Sequence, residues 1–200
     1  MKTTVQKTLQ MVEMAMLLAL VVVLQLISGL IKFGPFSLSF VLLPVVIGSI
    51  VLGYKKGAVL GAVFGIVVII QCATGVDAGG FILWGINPFF TMLICLVKGI
   101  AAGLIPGLLY RLINKNDTIG VRGVVASVVA ALSAPIANTG LFLIGLSVCF
   151  NSTLIEWAGG TNVLVYIITG LVGINFVIEF LINLVVSPAI STIIKAVNKL

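Results

Sequence analysis

The feature that most constrains this chain is a succession of long apolar runs joined by short polar or glycine-containing links. The first run extends from about Leu9 to Ile31, interrupted only by Gln10, Glu13, Gln25 and Ser28. Lys32-Phe33-Gly34-Pro35-Phe36-Ser37 breaks it with a Gly-Pro turn signal. A second run, Leu38 to Leu52, ends at Gly53-Tyr54-Lys55-Lys56-Gly57, and a third covers about Ala58 to Ala73. Phe81 to Ile113 is too long for one straight span. Its start, around Trp84-Gly85-Ile86-Asn87-Pro88, reads as an interfacial loop feeding a helix that begins near Pro88, since proline suits a first helical turn. The fifth run spans about Val121 to Phe150 and the sixth Val163 to about Val197.

Such runs belong in lipid. The chain is 61% hydrophobic and 8% charged, against about 25% charged in ordinary soluble domains, and its mean hydropathy is +1.35. Helices satisfy their own backbone hydrogen bonds in a bilayer, and a span takes roughly 20 residues. The expected fold is therefore an all-α integral membrane bundle of about six transmembrane helices, one domain over residues 1–200. No room is left for a soluble catalytic or nucleotide-binding domain.

Several chemistries are excluded by what is missing. The sequence has no histidine, so the commonest metal ligand and general base is absent. Cys72, Cys95 and Cys149 lie in or at the ends of apolar runs without CxxC spacing, which argues against a zinc site or a disulfide framework. No G-x-x-x-x-G-K-[ST] loop occurs. The expectation is no resident metal and no cofactor.

The net charge of +6 would suggest nucleic acid in a soluble protein, but its distribution marks orientation instead. Lys2, Lys7, Lys55, Lys56, Arg111, Lys115, Arg122, Lys195 and Lys199, nine of the eleven basic residues, fall on one side of a six-span topology. By the positive-inside rule both termini are then cytoplasmic, and the links 32–37, 74–87 and 151–162 face outward. The first run is too long for a signal peptide. Gly53, Gly57, Gly61 and Gly65, then Gly99, Gly103 and Gly107, then Ala126, Ala130 and Ala134 recur every four residues, the spacing that lets helix backbones approach closely within a bundle.

Polar residues inside the runs point to function, because an ionisable group in hydrocarbon costs at least ~2.5–3.5 kcal/mol and normally faces protein or water. Lys98 lies roughly 15 Å into the fourth span by helical rise, near the midplane. At about 100° per residue, Asn87, Thr91 and Lys98 project within about 40° of one another. Ser127 and Asn138 share a face of the fifth span, behind Pro135, and Asn175, Glu179 and Asn183 follow an i, i+4, i+8 pattern on the sixth. The second and third spans offer almost no polar groups. This asymmetry suggests a polar cavity among the last three spans that binds a small polar solute. Lys98 is then a cationic anchor, Asn87, Thr91, Asn138, Asn175 and Glu179 are further polar contacts, and Trp84 and Phe36 form a lid. The alternative is that Lys98 and Glu179 pair and the asparagines hold helices together. Trp84 and Tyr54 also suit an interfacial aromatic belt, and Asp77 and Lys32 read as solvated loop charges.

The chain resembles a substrate-binding S component of the energy-coupling factor (ECF) transporters, the vitamin-uptake systems of bacteria. The resemblance covers nearly the whole length. It rests on the topology, on Gly34-Pro35-Phe36-Ser37-Leu38-Ser39, on the Gly-Tyr-Lys-Lys-Gly turn, on Asn87-Pro88 with Lys98-Gly99 further along, and on Ala15-Met-Leu-Leu-Ala19, which matches the family's A-x-x-x-A motif. It implies a multi-pass protein of the bacterial cell membrane that captures a water-soluble vitamin from outside. It further implies docking through Ala15 and Ala19 on a transmembrane scaffold subunit that works with two ATPases. Without an N-terminal histidine, nickel and cobalt are not expected as substrates. The midplane lysine suits a substrate with a carboxylate or phosphate, pantothenate-like. The alternatives are a self-sufficient small carrier or channel, for which no internal repeat is visible, a structural membrane subunit, and an intramembrane enzyme, which the scarcity of acids and histidines disfavours.

Overall fold

The computed structural model describes residues 4–29, 32–33, 36–37, 40–114 and 121–197, with side chains described at all of these except 32–33, 36–37, 171–172, 174–175 and 188–197. Helix α1 (Thr4–Ser28) leads into a minimal antiparallel pair, β1 (Lys32–Phe33) and β2 (Phe36–Ser37), with Lys32 opposite Ser37. The Gly34-Pro35 turn signal between them lies outside the described residues. There follow α2 (Leu42–Val51), α3 (Tyr54–Thr74), α4 (Ala78–Ile86), α5 (Pro88–Ile113), α6 (Val121–Cys149) and α7 (Asn151–Ala158). The last apolar run is α8 (Val163–Tyr166), a π-helical turn (Ile167–Val172) and α9 (Gly173–Val197).

Among the described residues four helices, α1, α3, α5 and α6, are long and apolar enough to cross a bilayer. The second run is shorter than a straight span requires: α2 has 10 residues, about 15 Å by helical rise against a ~30 Å hydrocarbon core. Two links expected to be loops are largely helical. In the 74–87 link, Gly75 ends α3 at φ +80, and Asp77 then starts α4 by accepting a hydrogen bond from the Gly80 N–H at 2.7 Å. In the 151–162 link, α7 begins directly after α6 and stops at Gly159, φ +56. Glycine tolerates both left-handed positions without a Cβ penalty. At the head of α5, Asn87 Oδ1 accepts from the Phe90 N–H at 3.2 Å and Pro88 occupies the first turn, as the Asn-Pro pair predicts.

The centre of the bundle is a glycine seam between α3 and α5. A Cβ added at Gly57 would fall on the Gly103 carbonyl, one at Gly61 on the Gly99 carbonyl, and one at Gly65 would lie 2.7 Å from the Cys95 carbonyl oxygen. The reverse also holds, since a Cβ at Gly99 or Gly103 meets the backbone of Gly61 or Gly57. The two glycine stripes, each repeating every four residues, thus face each other in antiparallel register, which brings the backbones into contact and maximises dispersion where no hydrophobic effect operates between helices. Around the seam, Val21 of α1, Val45 and Val46 of α2, Leu60 and Phe64 of α3, and Ala131 and Ala134 of α6 form the main core. A second cluster joins Leu83, Ile94, Leu146, Phe150 and Leu154 at the end where α4 and α7 lie.

A buried pair of glutamines ties α1 to α3. Gln25 Nε2 donates to Gln71 Oε1 at 2.7 Å, and Gln71 Nε2 donates to the Gln25 carbonyl at 2.9 Å, both side chains being buried. Replacing Gln71 by leucine strands the buried Gln25 amide and is expected to cost about 1–3 kcal/mol. The Gln25→Leu/Gln71→Leu double variant should recover most of that loss. Melting temperatures of the two variants and the parent in one detergent give the comparison, and a double variant no better than Gln71→Leu would show that the pair is not the coupling element.

Candidate functional site

The structure contains a small cavity between α3, α4, α5 and α6. Thr91, Ile94, Cys95 and Lys98 of α5 form one wall, Val68 and Cys72 of α3 another; Gly80 and Leu83 of α4, together with Asp77, close one end, and Phe142 of α6 lies opposite. Helix α5 carries most of the chemistry because its period sets Thr91, Cys95 and Lys98 on one side.

Lys98 is half-buried, and its Nζ lies 5.0 Å from the centroid of the Phe142 ring. That cation–π contact supports a charge partly removed from water. Thr91 is buried, and its hydroxyl donates to the Asn87 carbonyl at 2.9 Å, leaving oxygen lone pairs to accept. Asp77 is 9% exposed and caps α4, so the expectation of a freely solvated loop charge is corrected: the start of α4 recruits the carboxylate as its N-cap. A carboxylate and an ammonium therefore line one cavity, with the thiols of Cys72 and Cys95 beside them.

The residues singled out from the sequence separate into groups. Thr91 and Lys98 meet on the cavity wall. Asn87 lies one turn beyond Thr91, where it caps α5. Trp84 is partly buried and packs on the main core cluster; its neighbour Leu83 lines the cavity. Asn138 is buried one turn from Phe142 on α6, and its Oδ1 has no hydrogen-bond partner. Glu179 is buried on α9, which packs against α6, and its carbonyl accepts from Asn183 Nδ2 at 2.8 Å. The Asn175 and Phe36 side chains lie outside the described ones. The described side chains of α9 do not line the cavity, whereas α3, expected to be poor in polar groups, and α4, in a link expected to be a loop, do. Asp77, Phe142, Cys72 and Cys95 were not foreseen as lining residues. A legible signal existed for two of them: Asp77 precedes Ala-Gly-Gly as an N-cap would, and Phe142 stands four residues from Asn138.

Ala15 and Ala19 are both exposed on α1, and they are flanked by exposed Met11, Val12 and Met16.

Residues 9–191 match the family described as ECF transporter, substrate-specific component. The chain is also 29% identical over 188 residues to the pantothenic acid transporter PanT of Lactococcus lactis subsp. cremoris (strain MG1363), covering 88% of this chain and 89% of that protein. The match spans the glycine seam, the cavity and the helices that line it, and the chain belongs to the family of substrate-specific components of ECF transporters, multi-pass membrane proteins that serve transport rather than catalysis.

Proposed function

We propose that this chain is the subunit that captures a pantothenate-like, carboxylate-bearing vitamin for an ATP-driven ECF transporter. The observation that carries the reading is Lys98, half-buried within the long apolar helix α5 on the wall of a cavity it shares with Thr91. A desolvated ammonium is expensive in a membrane and is retained where it meets an anion. The similarity to a protein named for pantothenic acid supports the same class of substrate. In this reading Lys98 holds the carboxylate, Thr91 and Asn138 offer acceptors for hydroxyl or amide donors, and Trp84, Asn87, Asn175 and Glu179 complete the site. The orphan Asn138 Oδ1 favours a ligand that brings its own donor.

The cavity is about 30 Å³, an order of magnitude below the roughly 300–1,000 Å³ of pockets that enclose small organic ligands. Substrate entry therefore requires side chains around Lys98 and Phe142 to swing apart. The wider arrangement belongs to the proposal as well: a single domain over 1–200, six spans, both termini cytoplasmic, and docking of the exposed Ala15 and Ala19 face on a scaffold subunit that works with two ATPases.

The test is binding of radiolabelled pantothenate to the purified full chain, followed by uptake in cells that supply the ATPase module. Micromolar or tighter binding is expected, unaffected by Ala15→Leu or Ala19→Leu, while uptake by those variants falls at least tenfold. Absent binding of pantothenate, with another vitamin stabilising the chain in a thermal-shift panel, would replace the substrate. Equal loss of binding and uptake in the alanine variants would overturn the docking assignment.

A further inference from the structure

A second cavity, larger than the first, lies at the opposite end of the bundle, where α2 and α5 end and α3 begins. It measures about 620 Å³ and is lined by Ser49, Gly53, Tyr54, Tyr110, Arg111 and Asn114, among others. The substrate reading makes no use of it.

Its walls are rich in hydrogen-bond donors. Arg111 is exposed in the last turn of α5, with its guanidinium carbon 6.0 Å from the centroid of the Tyr54 ring. Tyr110 accepts from Asn114 Nδ2 at 3.0 Å, so its own O–H is left to donate. Gly53, at φ +98, starts α3 without a side-chain cap, and a Cβ added there would meet nothing within 4 Å. Gly53 and Tyr54 line the cavity at the start of α3, so the positive end of that helix's dipole lies beside it. The close approach at Gly107, where a Cβ would lie 2.9 Å from Tyr54 Cα, holds the two helix ends together.

The level in the membrane decides which anion fits. Leu112, beside Arg111, is 61% exposed, so the bundle's lipid-facing apolar surface reaches this turn, and tyrosine with arginine marks the headgroup boundary. Lys55, Lys56 and Arg122 sit at the same end of their helices. A basic, tyrosine-walled pocket between helix ends at headgroup depth has the chemistry of an anionic phospholipid site, and the fork of arginine suits the two free oxygens of a phosphodiester.

We propose that this cavity binds the phosphodiester headgroup of an anionic phospholipid, with Arg111 and Tyr110 as its donors and Tyr54 as the wall on which the guanidinium rests. The inference does not depend on the vitamin. The experiment is native mass spectrometry of the full chain, purified with an equimolar mixture of dioleoyl-phosphatidylglycerol and dioleoyl-phosphatidylcholine. Both lipids offer a phosphodiester, but the choline cation of phosphatidylcholine cancels its charge and is repelled by Arg111, so the parent should retain phosphatidylglycerol about tenfold over phosphatidylcholine, the scale of one charge-assisted contact. Arg111→Gln should bring the ratio to parity, and Arg122→Gln, whose side chain does not line the cavity, should leave it unchanged. Arg111→Lys, which keeps charge and solubility but loses the fork, should fall between and serves if the glutamine variant does not fold. No selectivity in the parent, or equal loss in Arg122→Gln, would overturn the site in favour of diffuse surface charge. A melting temperature raised by inorganic phosphate in lipid-free detergent, lost in Arg111→Gln and accompanied by no lipid selectivity, would overturn the lipid source and make this a soluble-anion site.

Discussion

Replacing Gly103 by valine should abolish the folded bundle. The added Cβ would fall on the carbonyl of Gly57 and lie near the Gly61 nitrogen, and neither can retract because both belong to the backbone of α3. Overpacking of a core by a few methyl groups costs about 1–3 kcal/mol when side chains can yield. Here only a shift of the helices relieves the clash, and the same shift separates Gly61 from Gly99 and Gly65 from Cys95. A loss of about 3 kcal/mol or more is expected. It would be read as disappearance of the monodisperse peak in size-exclusion chromatography, or as a large drop in melting temperature. Gly140→Ala is the internal control. A Cβ there meets nothing within 4 Å, and the change should stay within about 1 kcal/mol of the parent, the intrinsic difference between glycine and alanine in a helix. If Gly103→Val melts where the parent does, α3 and α5 are not packed backbone to backbone.

The second large effect is on binding. If Lys98 holds the substrate carboxylate as proposed, Lys98→Ala should weaken pantothenate by ~1.5–3 kcal/mol, roughly a tenfold to 150-fold rise in Kd. The alcohol analogue, in which CH2OH replaces the carboxylate, supplies the discriminating comparison. It should bind the parent weakly and lose little more on Lys98→Ala, since no charge pair is broken. Lys98 also rests on Phe142, so the melting temperature of the unliganded variant must be compared first. Equal losses for acid and alcohol would assign Lys98 to packing rather than to recognition of an anion.

Sequence and tertiary structure share the information unevenly. The apolar runs announced helices because lipid allows little else, and the chain's own punctuation set several boundaries: Asn87-Pro88 for α5, Gly75 for the end of α3, Val121 for the start of α6. Lys98 stands out in the sequence because a charge deep in an apolar run has no cheap resting place, and Thr91 because it shares Lys98's helical face; the structure places both on one cavity wall. The links were harder to read. Ala78–Ile86 is rich in glycine yet helical, because Asp77 caps its first turn and Leu83 buries on the second core cluster. A short helix held by such tertiary contacts leaves only a faint local pattern. The π-helical turn at Ile167–Val172 had no signal at all in composition.

What the sequence determined by itself is the solvent this chain lives in, the helical fold that solvent enforces, and which helix faces carry small or polar groups. Period and composition fix these locally, one helix at a time. Which face meets which is a property of pairs of helices, and only the tertiary structure decided it. The two glycine stripes could each have met a third helix, but they interlock with one another and bring Cys72 of α3 beside Cys95 and Lys98 of α5. The cavity therefore opens towards α3 and α4 rather than α9. Close packing of glycine on glycine selects that neighbour, and no single helix records the choice.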